Sequence, residues 1–122
     1  MSKRVLIADD EPNIVMSLEF LMEQAGYETR VAVNGQEALD LAASFHPHLM
    51  LLDVMFPVKS GYEVCQRLKS DPATHDIKVL MLSAKGRDVE VAKALELGAD
   101  AYVTKPFSTR ELVAKVRDML GA

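Results

Sequence analysis

The sequence predicts an α/β fold, a single doubly wound domain with a five-stranded parallel sheet and helices on both faces. The first observation behind this prediction is that strand and helix patterns alternate five times, with connections of only a few residues. Strict alternation favours parallel strands joined by right-handed crossovers, which carry helices onto both faces of the sheet. The second observation is that the strand patterns are short continuous apolar runs, as expected for strands buried on both faces.

The central strand leads to the most informative residue of the chain. Residues 49–52 are all apolar and are followed directly by Asp53. Ligands of open α/β sheets bind at the carboxyl ends of the strands, so a carboxylate at this position is a candidate functional group. Taken alone, Asp53 could be a metal ligand, a base, a nucleophile or a turn-forming cap.

The first two strands and the helix between them are predicted from residues 4–33. Residues 4–8 form an apolar run that ends at Asp9 and Asp10, and Pro12 suits the first turn of a helix. The apolar residues at helical spacing, and the glycine expected just beyond the helix, are Ile14, Leu18, Leu21, Met22, Ala25 and Gly26. Residues 27–33 are polar at alternate positions, which predicts a strand at the edge of the sheet.

Capping patterns predict where the later helices begin. An Asn or Ser followed three residues later by Glu can satisfy the free N–H groups of a first helical turn. This spacing occurs at Asn34–Glu37, Ser60–Glu63 and Ser108–Glu111, and Asp88 is the expected cap of the remaining helix. The other predicted boundaries are helix ends at His46-Pro47, Asp71-Pro72 and Gly98, and strands at 77–83 and 101–104.

Composition narrows the possible functions. The chain has 122 residues, enough for one domain with a buried core, and we expect that domain to span 1–122 with no second one. A formal net charge of -4 argues against direct binding of nucleic acid. Cys65 is the single cysteine, which favours a reducing compartment, and no long apolar stretch predicts a membrane span or a secretory leader. We therefore expect a cytoplasmic protein.

Polar residues end four of the predicted strands, and parallel strands place them at one edge of the sheet. They are Asp9 and Asp10, Asp53, Ser83 and Lys105. Three carboxylates in one cleft repel each other unless a cation neutralises them, and a hard oxygen-binding ion such as Mg²⁺ suits that role. A Lys and a hydroxyl beside the carboxylates complete the set of groups needed to accept a phosphoryl group.

Four motifs contain these residues: Asp9-Asp10-Glu11-Pro12, Asp53-Val54-Met55-Phe56-Pro57 with Gly61, Ser83-Ala84, and Lys105-Pro106-Phe107. In this order, each at a strand end, they make the chain resemble the receiver domain of bacterial response regulators. This is the CheY-like phosphoacceptor module of two-component signalling. The resemblance extends from Arg4 to about Leu120. It implies a flavodoxin-like (βα)5 fold with the strand order 2-1-3-4-5.

The resemblance also implies a role for each site residue. Asp53 would accept phosphoryl from a sensor histidine kinase or a histidine phosphotransfer protein. Asp10, Asp53 and the backbone carbonyl of Met55 would bind Mg²⁺, for which Mn²⁺ can substitute, and Asp9 would act through water. Lys105 would pair with the acyl phosphate, next to a cis peptide bond to Pro106.

A conformational switch is part of the same expectation. Ser83 would bond a phosphoryl oxygen and Tyr102 would rotate with it, which shifts the face formed by helix 4, strand 5 and helix 5. That face would contact a downstream protein or an output domain, with the chain a monomer or a phosphorylation-dependent dimer. The domain would not be an enzyme, since it would catalyse only its own phosphoryl transfer and slow autodephosphorylation.

The chain departs from the family pattern at a few positions. Ser83 stands where Thr is common, and Val58-Lys59-Ser60 stands where many receivers have Gly-Met-Asp or similar. Met55 and Lys85 are expected to tune the lifetime of the phosphoryl group.

Other classes of protein fit the same residues less well. A haloacid-dehalogenase-like phosphohydrolase needs an Asp two residues after its nucleophile, where this chain has Met55, and a P-loop is absent. A flavodoxin-like FMN carrier needs a phosphate loop rich in Ser, Thr and Gly after strand 1, where this chain has acids. An interaction module that no longer accepts phosphoryl stays open, although Asp10, Asp53 and Lys105 are all kept.

Overall fold

The structure is a computed structural model that describes residues 3–55, 58–84 and 88–121. The strands are β1 Arg4–Ala8, β2 Glu28–Ala32, β3 Leu49–Asp53, β4 Lys78–Ala84 and β5 Ala101–Lys105. The helices are α1 Pro12–Gln24, α2 Gly35–Phe45, α3 Gly61–Ser70, α4 Asp88–Glu96 and α5 Thr109–Leu120. All paired strands are parallel, in the order β2-β1-β3-β4-β5, so the predicted fold is confirmed and β2 lies at the edge as expected.

The sheet separates two apolar clusters, one on each face. Successive residues of a strand point to opposite faces, so Met50 and Leu52 join the cluster packed under α2 and α3, whereas Leu49 and Leu51 join the cluster under α1 and α5. All five residues of β3 are buried. The continuous apolar run that predicted this strand therefore reflects burial on both sides.

The predicted caps explain where three helices begin. The side chains of Asn34, Ser60 and Ser108 each accept a hydrogen bond from the backbone N–H three residues later. His46 adopts a left-handed conformation (φ 51°) at the end of α2, and Gly26 and Gly98 have positive φ beyond α1 and α4. Helix α4 begins at Asp88 as predicted, but the side chain of Asp88 lies outside the part of the chain that the structure describes.

Three strands differ from the prediction by one residue at their ends, and a hydrogen bond explains where β4 begins. Strand β2 spans Glu28–Ala32 where 27–33 is predicted, and β4 ends at Ala84 where residue 83 is predicted. Strand β4 begins at Lys78 because the N–H of Ile77 donates to the carbonyl of Thr74, in the turn that precedes the strand. Strand β5 continues to Lys105, where it is paired with Ala84 of β4. Within the described residues, no helix has the length and apolarity needed to cross a membrane.

Candidate functional site

The strand register brings the predicted site residues to one edge of the sheet. Asp53 is the last residue of β3 and Lys105 the last of β5, while Ser83 lies near the end of β4. Asp9 follows β1 directly, one residue after the Ala8–Leu52 pair of neighbouring strands. The result is a cleft of about 330 Å³ lined in part by Asp10, Asp53 and Lys105.

Lys105 lies at the centre of this cleft. Its Nζ donates to Asp9 Oδ2 at 2.9 Å and lies 3.5 Å from Asp53 Oδ2. The other oxygens of the two carboxylates are held by their own loops, since Asp9 Oδ1 accepts from the N–H of Glu11 and Asp53 Oδ1 from that of Met55. Each carboxylate thus presents one oxygen to Lys105 and has the other fixed by backbone.

Burial and charge alter the acid–base properties of both partners. Burial raises the pKa of Asp53 above its ordinary value, and the neighbouring Asp9 adds to the rise, while Lys105 and the N–H of Met55 oppose it. Burial alone would lower the pKa of Lys105, but its hydrogen bond to Asp9 and the surrounding negative charges raise it. Lys105 is therefore held as a cation against the carboxylate of Asp53.

Three carboxylates in the cleft lie close enough together to hold a metal ion. Asp9, Asp10 and Asp53 each offer one oxygen, and these oxygens lie within 4.8 Å of one another. Asp9 and Asp53 are buried, whereas Asp10 is exposed at the mouth. An oxygen-only donor set open to solvent on one side fits a hard divalent cation that keeps some of its waters.

Ser83 contributes a hydroxyl that is 2% exposed, and its Oγ has no hydrogen-bond partner within the described ranges. A buried hydroxyl without a partner costs about 1–3 kcal/mol. Such a group is suited to bind an oxygen that is brought to the site from outside.

Two residues that the sequence motifs contain without an assigned role belong to the site. Glu11 Oε1 lies 3.5 Å from Lys105 Nζ, a contact that its place after the acidic pair could have suggested. Gly61 approaches the end of β3 so closely that a Cβ there would overlap the carbonyl oxygen of Asp53 and lie 2.8 Å from the Cα of Val54. No spacing rule in the sequence predicts that approach.

The remaining predicted residues either do not line the acidic cleft or lie outside the described part of the chain. The side chain of Tyr102 is 40% exposed on β5, and it is not part of the lining of the acidic cleft. The Lys105–Pro106 peptide bond is cis, as the resemblance implied. In the loop after β3, Val58 has a positive φ of 68°. Phe56 and Pro57 of the second motif, and Lys85, lie outside the described residues.

Comparison with protein families agrees with this geometry. The family model of the response regulator receiver domain matches residues 5–117 of the chain. The match therefore includes every strand of the sheet except the first residue of β1.

Solved structures give the same result. A candidate response regulator from Chloroflexus aurantiacus J-10-fl is 35% identical, with a TM-score of 0.96 and full coverage of both chains. The signal receiver domain of a histidine kinase from Syntrophus aciditrophicus is 32% identical, with a TM-score of 0.91, over 98% of this chain and 91% of that one. The receiver domain of Francisella response regulator 1452 is 31% identical, with a TM-score of 0.90, over 98% of each chain.

Proposed function

The chain belongs to the response regulator receiver domain family, and from this premise we propose that Asp53 accepts a phosphoryl group from a phosphohistidine. The donor is a sensor histidine kinase or a histidine phosphotransfer protein. The observation that supports this most directly is the arrangement of Asp53, whose Oδ2 faces Lys105 in a cleft open to solvent. The backbone N–H of Met55 holds the other oxygen, so Oδ2 is the oxygen available for attack.

Phosphoryl transfer to Asp53 is a displacement at phosphorus. Asp53 Oδ2 forms the new P–O bond while the P–N bond to the donor histidine breaks, and the nitrogen keeps the electron pair of that bond. Lys105 supplies positive charge beside the attacking oxygen, and the unpartnered hydroxyl of Ser83 is available to a phosphoryl oxygen.

The acidic cluster would hold Mg²⁺, or Mn²⁺ in its place. Asp10 and Asp53 would bind it directly with the Met55 carbonyl, and Asp9 through water. This division agrees with the hydrogen bonds, because both oxygens of Asp9 are occupied, whereas Asp10 makes none within the described residues. When bound, the ion neutralises the carboxylates and the charge on the phosphoryl oxygens.

The phosphorylated domain would act as a switch and would not turn over an external substrate. Inward movement of Ser83 and rotation of the exposed Tyr102 would change the surface formed by α4, β5 and α5. That surface would contact a downstream protein or an output domain, as a monomer or a phosphorylation-dependent dimer. We propose that the chain acts in the cytoplasm and, with its formal net charge of -4, does not bind nucleic acid or membrane directly.

The test is the intact mass of the protein after incubation with acetyl phosphate, with and without Mg²⁺. One phosphoryl adduct is expected with Mg²⁺, and none in its absence or in Asp53→Asn, which keeps the shape of the side chain but removes the nucleophile. Labelling that persisted in Asp53→Asn would move the acceptor to another residue. If no adduct forms and beryllofluoride, a mimic of the phosphoryl group, does not bind either, the chain would be a receiver that signals by docking alone.

A further inference from the structure

Glu11 is at the N-cap of a helix, a position whose side chain often bonds the first helical turn, yet its side chain makes no such hydrogen bond. It is the N-cap residue of α1, but its side chain accepts nothing from the first helical turn. Glu is also not one of the residues favoured at N-cap positions, which are Ser, Thr, Asp and Asn. The side chain, 62% exposed, instead extends to Lys105, with Oε1 3.5 Å from Nζ.

Lys105 therefore has carboxylates on two sides. Asp9 and Asp53 form the buried side, with side chains at most 9% exposed, whereas Glu11 approaches from the solvent side. The ammonium group is held between the buried carboxylates of Asp9 and Asp53, which form the floor of the cleft, and the carboxylate of Glu11 at its mouth. Any change in charge at the mouth alters how closely it approaches the floor.

We propose that Glu11 is a positioning residue that draws Lys105 towards the mouth of the cleft and so keeps Asp53 available to a divalent cation. This inference rests on the proposed function. Lys105 and a divalent cation are both attracted to the carboxylates of Asp9 and Asp53, so a group that attracts Lys105 elsewhere favours the cation. The charge of Glu11 also attracts cations to the mouth and repels anionic phosphodonors.

Glu11→Gln removes this charge and keeps the size of the side chain. Because the variant loses a unit charge several ångströms from the ion in a solvated site, we expect its Mg²⁺ affinity to fall about three- to tenfold. In the same variant, half-maximal labelling at saturating Mg²⁺ should need less acetyl phosphate. The chain has no tryptophan, so Mg²⁺ binding is best followed by backbone amide NMR shifts.

A double-mutant cycle separates positioning from bulk charge. If Glu11 acts through Lys105, the effect of Glu11→Gln on Mg²⁺ affinity shrinks at least twofold when Lys105 is replaced by Met. If Glu11 contributes only its charge, the effect is the same in both backgrounds. Asp118→Asn is the matched control, because it removes the same charge from an exposed residue on the last turn of α5.

The outcomes distinguish this inference from the function on which it rests. Mg²⁺ titration needs no phosphorylation. If the wild-type protein is not labelled by acetyl phosphate, the proposed function is overturned, but the effect of Glu11→Gln on Mg²⁺ affinity can still be interpreted. Equal Mg²⁺ affinity in wild type and Glu11→Gln overturns the inference, even if Asp53 labels normally. An unchanged effect in the Lys105→Met background overturns the positioning role.

Discussion

His48 shows how a single half-buried contact depends on protonation. Its ring Nδ1 accepts a hydrogen bond of 2.9 Å from the backbone N–H of Arg4, which requires that nitrogen to be unprotonated. Burial lowers the pKa of His48 below 6.5, the charges of Arg4 and Lys3 lower it further, and Asp76 opposes them. The neutral ring is therefore the form that the folded state stabilises.

This arrangement predicts an acid-dependent loss of stability. The folded state binds the proton of His48 less tightly than the unfolded chain does. The contribution of His48 to the free energy of unfolding is therefore complete above about pH 6.5, and it is lost as the pH falls towards the lower pKa of the folded state. Urea unfolding between about pH 7.5 and about pH 5.5 measures the effect. In His48→Gln, which can accept the same bond without titrating, the decline should be shallower. An identical decline would show that His48 makes no such contribution.

At the scale of elements, Lys69 at the end of α3 connects three segments. Its Nζ donates to Asp100 Oδ2 at 2.9 Å and to the carbonyl of Ile77 at 2.8 Å. The same oxygen of Asp100 accepts from the N–H of Val79, near the start of β4. The ammonium is thus shared between the turn before β4 and the turn before β5.

Lys69→Met should lower the free energy of unfolding by about 2 kcal/mol, because it keeps the apolar stem but removes hydrogen bonds to a charged donor. Lys78→Met is the matched control, an exposed lysine for which about 0.5 kcal/mol or less is expected. Chemical denaturation of both variants checks the prediction. Equal decreases in the free energy of unfolding of the two variants would mean that the contacts of Lys69 stabilise the fold no more than an exposed lysine does.

The elements also show which features local sequence could predict. Alternation of patterns and the three Asn or Ser caps are properties of neighbouring residues, and both were confirmed. The contacts of Glu11 with Lys105, and of Lys69 with Asp100, join distant parts of the chain. The place of Glu11 after the acidic pair puts it near the site, but charged side chains with no periodic pattern give no local signal for their partners. Only the folded geometry identifies Lys105 and Asp100 as the partners of Glu11 and Lys69.

At the scale of the whole molecule, β5 connects the acidic cleft to an exposed surface. Lys105 lies at its carboxyl end and Tyr102 three residues earlier, and Ser83 of β4 is paired with the intervening Thr104. On the exposed side, Lys115 of α5 lies over the ring of Tyr102, with Nζ 5.8 Å from the ring centroid. If the site switches as proposed, β5 and its neighbour β4 form the physical connection between the site and α5.

Lys105→Ala should separate binding at the site from the response of this surface. The carboxylates remain, so Mg²⁺ and beryllofluoride should still bind, but the ion pairs that connect β5 to Asp9 and Asp53 are lost. We expect the amide NMR shifts of residues 101–120 on adding both ligands to fall to less than half of those in wild type. Lys78→Ala, at the opposite end of the sheet, should respond as wild type does. A full response in Lys105→Ala would assign the coupling to Ser83, the buried hydroxyl near the end of β4, because its strand pairs directly with β5.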